Sequence, residues 1–342
     1  MRWKNRPEGS NWGDFGPDDQ IGRLNLLGPE QVKKGIAEVV EGRTFCLSLP
    51  LDLPGGNALH PARHPPQRYA TTSDGLDRFL LPLSDAMKNP DLTDVVNDDR
   101  VMITMQYSSQ WDALAHVGGM FDADGDGVPE PVFYNGWRGG EDITAKPCDE
   151  CGDMTATEAK KLGVQTMAET CIQGRAVLID LHRAFGDGHI DVDYAMLSQA
   201  IADQNVTVEE GDLVMLHTGW TGKIVEAGGN PTHEMLHGTC TALEGRDPAL
   251  QRWIRDSGLV ALISDNYAVE RAPSRTGDGT RAMLPIHELC LFKLGIPLAE
   301  IWWLGDLAAY MAETGRNRCL LTAPPLRLPG AVGSPVTPVA TM

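Results

Sequence analysis

AVLIDL (residues 176–181) is an apolar run carrying a single aspartate near its end. A short apolar run rich in branched side chains is the pattern of a strand buried on both faces. DLVMLHTGW (212–220) and LVALISD (259–265) repeat it. Helical patterns lie between and after these runs. DVDYAMLSQAIADQN (191–205) is amphipathic, and PALQRWIRDSG (248–258) separates the second and third runs. PIHELCLFKLG (285–295) has proline near its start and glycine at its stop, the usual helix punctuation. EIWWLGDL (300–307) reads as another strand. Strands alternating with helices place the chain in the α/β class.

Toward the N-terminus the pattern is less regular. Residues 1–28, rich in Gly, Pro, Asp and Trp, read as an irregular packed arm. PEQVKKGIAEVVEG (29–42) reads as a helix and FCLSLPLDL (45–53) as a strand. GGNALHPARHPPQRY (55–69) and FDADGDGVPEPVFYNGWRGGED (121–142) read as loops. Thr155 and Glu158 have the spacing of a capping box opening a helix that ends near Gly163. No repeat, low-complexity tract or linker interrupts the chain, so one domain over 1–342 is expected.

The segment VMITMQYSSQWDALAH (101–116) carries the densest chemistry. Its alternation reads as one half-buried strand. Val101, Ile103, Met105 and Tyr107 then share one face. Thr104, Gln106, Ser108, Gln110 and Asp112 share the other, with His116 just beyond. A face that gathers amides, a hydroxyl and a carboxylate is either solvated or built to bind something, because unpaired buried polar groups cost roughly 1–3 kcal/mol each.

Bulk composition narrows the partners. Among 342 residues, 42% are hydrophobic and 22% charged, and the net charge is −18. With no Lys/Arg cluster, nucleic acid and anionic membrane surfaces are not expected partners. No stretch approaches the roughly 18 apolar residues that span a bilayer, and the N-terminus lacks the apolar core of a secretory signal. Seven scattered cysteines, an odd number, suit a reducing cytoplasm better than a disulfide framework.

Several separated motifs together resemble the cyclase family, which includes bacterial kynurenine formamidase and isatin hydrolase. They are SNWGDFGPDDQIGRLNLLGPE (10–30), SQWDALAHVG (109–118), YNG (134–136), LHTGW (216–220), SDNYAVE (264–270), LPIHELCLFKLGIPLAE (284–300) and APPLRLPGAVGSPVTPVA (323–340). The resemblance implies a swivelling β/β/α-type fold with a mixed central sheet and flanking helices. It also implies a metal-dependent hydrolase of amide, cyclic amide or lactone bonds, assembled as a homodimer or homotetramer. The family motif H-x-x-x-H-x-D-x-x-x-H falls on Gln106, Gln110, Asp112 and His116, and a later ligand pair on His287 and Glu300. Metal ligation is thus expected from Asp112, Gln110, Gln106, His287 and Glu300, with His116 as acid–base group. Asp112 can also orient His116.

Both motif histidines are replaced by glutamine. An amide oxygen is a harder, weaker donor than imidazole, so manganese loses less than zinc, and a metal-free site is a further reading. In that case Gln106, Gln110 and His116 polarise a carbonyl directly, as in a lyase, dehydratase or isomerase. A non-catalytic small-molecule binder is the third reading. Trp111, Tyr134, His217 and Trp220 are candidate walls for a small ring-shaped substrate. His60 and His64 lie in a loop that could fold over the site, although solvent exposure explains them as well.

Other motifs are weaker. HEMLH (233–237) matches the zinc-protease pattern but is cut short by Pro231 and Gly238, with Glu244 nearby. DADGDG (122–127) opens like a calcium loop, yet Phe133 stands where a bidentate Glu is needed. Cys148 and Cys151 form a lone CxxC.

Overall fold

The apolar runs become the spine of the molecule. The computed structural model describes residues 2–147, 155–276 and 279–342. Nine strands form the main sheet: β1 (Thr44–Cys46), β2 (Gln110–Asp112), β3 (Gln173–Asp180), β4 (Leu213–His217), β5 (Ala261–Ser264), β6 (Leu298–Glu300), β7 (Arg318–Thr322), β8 (Gly333–Pro335) and β9 (Val339–Thr341). Their spatial order is β1-β9-β7-β3-β4-β5-β6-β2-β8. Strands β3 to β6 are mutually parallel, and β2 and β7 flank them antiparallel. This is a mixed sheet with flanking helices, as the family resemblance implies.

Period-two alternation sorts the spine into two cores. Val177, Ile179, Val214, Leu216, Leu262 and Leu298 pack on one face. Ala176, Leu178, Leu213, Met215, Ala261, Ile263 and Ala299 pack on the other. Each fully buried Val, Leu or Ile contributes roughly 1.5–3 kcal/mol, so the register of these strands is strongly specified. The carboxyl ends of β3, β4 and β6 carry Asp180, His217 and Glu300, and Asp265 follows β5 directly. In parallel sheets this edge is where ligands usually bind. Asp180, His217 and Asp265 continue the second face, whereas Glu300 continues the first.

The parallel strands are joined by helices at Tyr194–Asp203 and Pro248–Asp256, and by one that begins at Pro285–His287 and continues as wider π turns over Glu288–Leu294. The arm before residue 29 packs on its own chain: the buried Trp12 donates its indole N–H to the Phe292 carbonyl. Among the described residues, no helix is long and apolar enough to cross a membrane.

Local expectations fail at five places. The strand expected from Arg100 to Asp112 is two strands, Asp99–Met102 and β2, separated by a turn. Tyr107 causes the break: its hydroxyl turns away to bond Gly55 N and Gly56 O. Thr155–Ala159 is a hairpin strand paired with Ile143–Pro147, not a capped helix. The strand expected over 300–307 ends at Glu300. Ile301 adopts φ 59°, and a helix starts at Gly305. The strand expected over 45–53 stops at Cys46. The loop expected over 121–142 holds the Glu130–Val132 strand. Cys148 and Cys151 lie outside the described residues.

Candidate active site

Two antiparallel strands build the floor of the site. In the β6–β2 register Glu300 faces Gln110 and Leu298 faces Asp112. Gln110, Asp112 and Glu300 therefore leave the same side of the sheet. All three are buried. The Gln110 amide nitrogen donates to Asp112 Oδ1 at 3.3 Å and to Glu300 Oε2 at 3.1 Å. Gln110 Oε1 and Asp112 Oδ2 are buried with no hydrogen-bond partner.

His287 is delivered from above by its helix. Pro285 starts that helix without needing an N–H partner. Glu270, wholly buried, accepts the Ile286 and His287 backbone N–H groups at 2.9 Å. The same carboxylate bonds His287 Nδ1 at 2.9 Å, and His287 Nε2 meets Glu300 Oε1 at 3.2 Å. One carboxylate thus fixes both helix start and ring orientation. Val269 and Ile301, the neighbours of Glu270 and Glu300, both have φ 59°. That conformation is costly for β-branched side chains, and such strain gathers at functional sites.

The electrostatics separate the carboxyl groups. Burial pushes Asp112 above the ordinary carboxylate range; His116 opposes this and Glu300 adds to it. Burial also opposes ionisation of Glu300, but the His287 hydrogen bond and charge outweigh it and hold Glu300 below its ordinary value. Burial alone would lower His287, yet Glu270 and Glu300 raise it to about 10. A proton bound near the cluster therefore favours Asp112 and His287 over Glu300.

Asp112, His287 and Glu300 each offer one ligand atom within 4.8 Å of the others. The chemistry fits a divalent cation: two carboxylates, one imidazole and an amide whose oxygen is free. The unpartnered Asp112 Oδ2 and Gln110 Oε1 are what such an ion would satisfy.

His116 stands at the rim, with Nε2 3.8 Å from Asp112 Oδ1 and a side chain 21% exposed. Gln106 sits in the turn before β2 rather than along the strand. Its amide lies over Gly333, where an added Cβ would come within 2.2 Å of Nε2. Gly333 pairs with Asp112, so Gln106 borders the cluster. It makes no hydrogen bond to the cluster among the described residues.

Of the four expected wall residues, Trp111, Tyr134 and His217 lie elsewhere, and Trp220 shares a small pocket with Tyr267 and Glu270. Trp111 alternates to the other side of β2 and packs edge-on against Trp302 at 5.3 Å. Tyr134 is buried against Gly295, in the seam that holds the N-terminal arm. His217 is in the opposite face of the sheet, bonded to Asp180 at 2.8 Å. Trp220 is buried beside Leu236, whose carbonyl accepts its indole N–H.

Sequence reading missed Glu270, Arg63 and Tyr267. Glu270 lies in the SDNYAVE stretch, where a lone Glu after apolar residues was the available signal. Arg63 lies between His60 and His64, and it is this arginine that reaches the site. Its charge lowers the pKa of both Asp112 and Glu300. Tyr267, raised by burial, lies close enough to feel the same carboxylates.

The competing motifs do not assemble. The HEMLH segment is a five-residue helix with rings of His233 and His237 4.5 Å apart. Glu244 turns away to Arg275. Asp122, Asp124 and Asp126 do converge, but Asp122 is occupied by the Gly125, Asp126 and Gly127 N–H groups of its own turn. A cleft of about 670 Å³ lies against β1 and the Gly305–Thr314 helix and contains none of the cluster.

The family model described as "Putative cyclase" matches residues 47–271. The crystal structure of a novel cyclase is 30% identical, covers 97% of each chain and superposes with a TM-score of 0.73. The chain belongs to the cyclase family. Isatin hydrolase A from Labrenzia aggregata, bound to benzyl benzoate, is 12% identical with a TM-score of 0.54, covering 88% of this chain and 94% of its own. Isatin hydrolase A from Ralstonia solanacearum is 13% identical, covers 87% and 91%, and also scores 0.54. Both show the cyclase-family fold. No curated protein sequence matches the chain.

Proposed function

We propose that this chain is a metal-dependent hydrolase that opens an amide, cyclic amide or lactone bond of a small molecule. The observation that carries this reading is the pair of unpartnered oxygens, Asp112 Oδ2 and Gln110 Oε1, inside a buried cluster with His287 and Glu300. Leaving two such acceptors empty costs roughly 1–3 kcal/mol each. Asp112, His287 and Glu300 would hold the ion, with Gln110 presenting its amide oxygen. Oxygen-rich ligation with one imidazole suits manganese better than zinc. A bound divalent ion supplies polarisation of the acyl carbonyl and a water acidic enough to react near neutral pH.

The protein's own groups do the rest. His116 Nε2, at the rim beside Asp112, takes the proton from the attacking water and returns it to the leaving group. Glu270 holds His287 by Nδ1, which keeps Nε2 aimed at the centre. Isatin hydrolases among the structural neighbours are in keeping with an acyl-opening reaction on a compact ring.

A second reading has one observation in its favour. The Gln110 amide nitrogen already bridges Asp112 and Glu300, a role a cation would otherwise fill. In that metal-free case Gln110 and His116 would polarise a carbonyl in a lyase, dehydratase or isomerase.

A screen of aryl esters, lactones and cyclic amides with added manganese or zinc tests the assignment. Activity should vanish with chelator and return with metal. His116→Ala should lose about 10²–10⁴-fold in kcat. Chelator-resistant turnover would favour the metal-free reading. Full activity in both His116→Ala and Asp112→Ala would overturn both.

A further inference from the structure

We propose that Arg63 is an anion anchor at the rim of the cluster, so that the substrate is a planar acyl compound bearing its own carboxylate. This deepens the hydrolase reading and rests on it for the location of the reacting bond.

The loop carrying Arg63 is tied down on both sides. Tyr107 holds Gly55 and Gly56 at one end, and His64 N donates to Thr104 Oγ1 at 3.2 Å at the other. Both anchors belong to the turn that leads into β2. The side chain is thus delivered to the site by the strand that carries Gln110 and Asp112.

The guanidinium is only partly used. One nitrogen donates to the Gln106 carbonyl at 2.9 Å, and the carbon sits 5.6 Å from the Tyr267 ring centroid. Among the described residues no carboxylate lies within ion-pair distance of it. Three other arginines of similar or greater burial are paired with carboxylates instead: Arg175 with Asp212 and Glu209, Arg138 with Glu130 and Asp124, Arg271 with Asp191. A half-buried guanidinium fork with free N–H groups fits a carboxylate edge-on, two parallel bonds at once. The neighbouring Tyr267 ring offers a flat face to whatever that carboxylate is attached to.

Position separates this group from the reacting carbonyl. Arg63 influences Asp112 and Glu300 through its field but touches neither. The carboxylate it binds is therefore a second functional group on the substrate, set apart from the bond that opens.

The test uses benzoate and its neutral isostere benzamide, titrated into the full-length protein and into Arg63→Gln, Arg63→Lys and Asp112→Asn. Wild type should bind benzoate at least tenfold more tightly than benzamide. Arg63→Gln should lose that preference with benzamide affinity unchanged, and Arg63→Lys should retain part of it. Asp112→Asn should keep the preference even if it abolishes turnover, which separates this inference from the hydrolase reading. Equal binding of the two probes by wild type would overturn it. So would undiminished benzoate binding in Arg63→Gln, or loss of benzoate in Asp112→Asn but not in Arg63→Gln. A melting curve confirms that each variant is folded, and the lysine variant serves if the glutamine variant is not.

Discussion

Two buried histidines each sit between two acidic residues at the carboxyl edge of the parallel strands, one on each face of the sheet. His217 bonds Asp180 at 2.8 Å and lies 4.0 Å from Asp265. His287 bonds Glu270 at 2.9 Å and Glu300 at 3.2 Å. By residue type the two are near twins. By hydrogen-bond accounting they are opposites. Asp265 accepts from Thr218 N, Thr218 Oγ1, Gly219 N and Thr221 Oγ1, so its oxygens are filled by its own chain. The His287 cluster leaves Asp112 Oδ2 and Gln110 Oε1 empty. The filled cluster stabilises the fold, and the unfilled one is available for chemistry.

The largest expected effect breaks the filled side. Asp265→Ala strands Thr218 N, Thr218 Oγ1 and Gly219 N and should cost on the order of 3–5 kcal/mol, as loss of a partner from a buried charged network does. Asp112→Asn should change stability by less than about 1 kcal/mol, because burial already disfavours its charged form and one oxygen has no partner. Urea unfolding of both variants measures the contrast. Equal losses would erase the distinction between the clusters.

A middle-sized effect probes how the His287 ring is held. A Cβ at Gly245 would come within 2.2 Å of Glu270 Oε2. Gly245→Ala should therefore cost about 1–3 kcal/mol through overpacking and weaken divalent metal binding. Gly333→Ala meets only the far end of the flexible Gln106 side chain and should cost less. Paired unfolding and metal titrations check the order.

The smallest effect is on pH dependence. His217 is raised above its ordinary value: burial works against the charge, but Asp180 and Asp265 outweigh it. A raised imidazole contributes fully below the unfolded value of about 6.5 and loses its contribution as pH rises through the folded value. The stability gap between wild type and His217→Gln should accordingly narrow from pH 6 upward in thermal unfolding. A gap that widens with pH would contradict this sign.

Much of this was legible in the sequence, for physical reasons that differ from place to place. AVLIDL, DLVMLHTGW and LVALISD declared themselves as strands because burial on both faces leaves no polar alternation to confuse. Asp112, His287 and Glu300 were reachable through the family motifs, though nothing in their spacing shows that distant segments converge. The row from Thr104 to Asp112 was misread because alternation cannot reveal that Tyr107 would leave the strand for Gly55. The TATE pattern at 155–158 satisfies a helix cap locally, but pairing with Ile143–Pro147 prevails. Trp111 was a reading error of a different kind, since the alternation that joins Gln110 to Asp112 sends Trp111 to the other face. Glu270 offered only a faint signal, a lone Glu after apolar residues: a helix cap supplied from outside the helix leaves no mark at the helix itself.

The central claim is that Asp112, His287, Glu300 and Gln110 hold one divalent ion. Calorimetric titration of manganese into the protein, repeated in buffers of different ionisation enthalpy, tests it most directly. Because Glu270 and Glu300 hold His287 above its ordinary value, metal binding at its Nε2 has a proton to displace. The predicted result is one ion per chain with proton release, abolished in Asp112→Asn and Glu300→Gln. Absence of saturable binding, or binding that survives both substitutions unchanged, would contradict it.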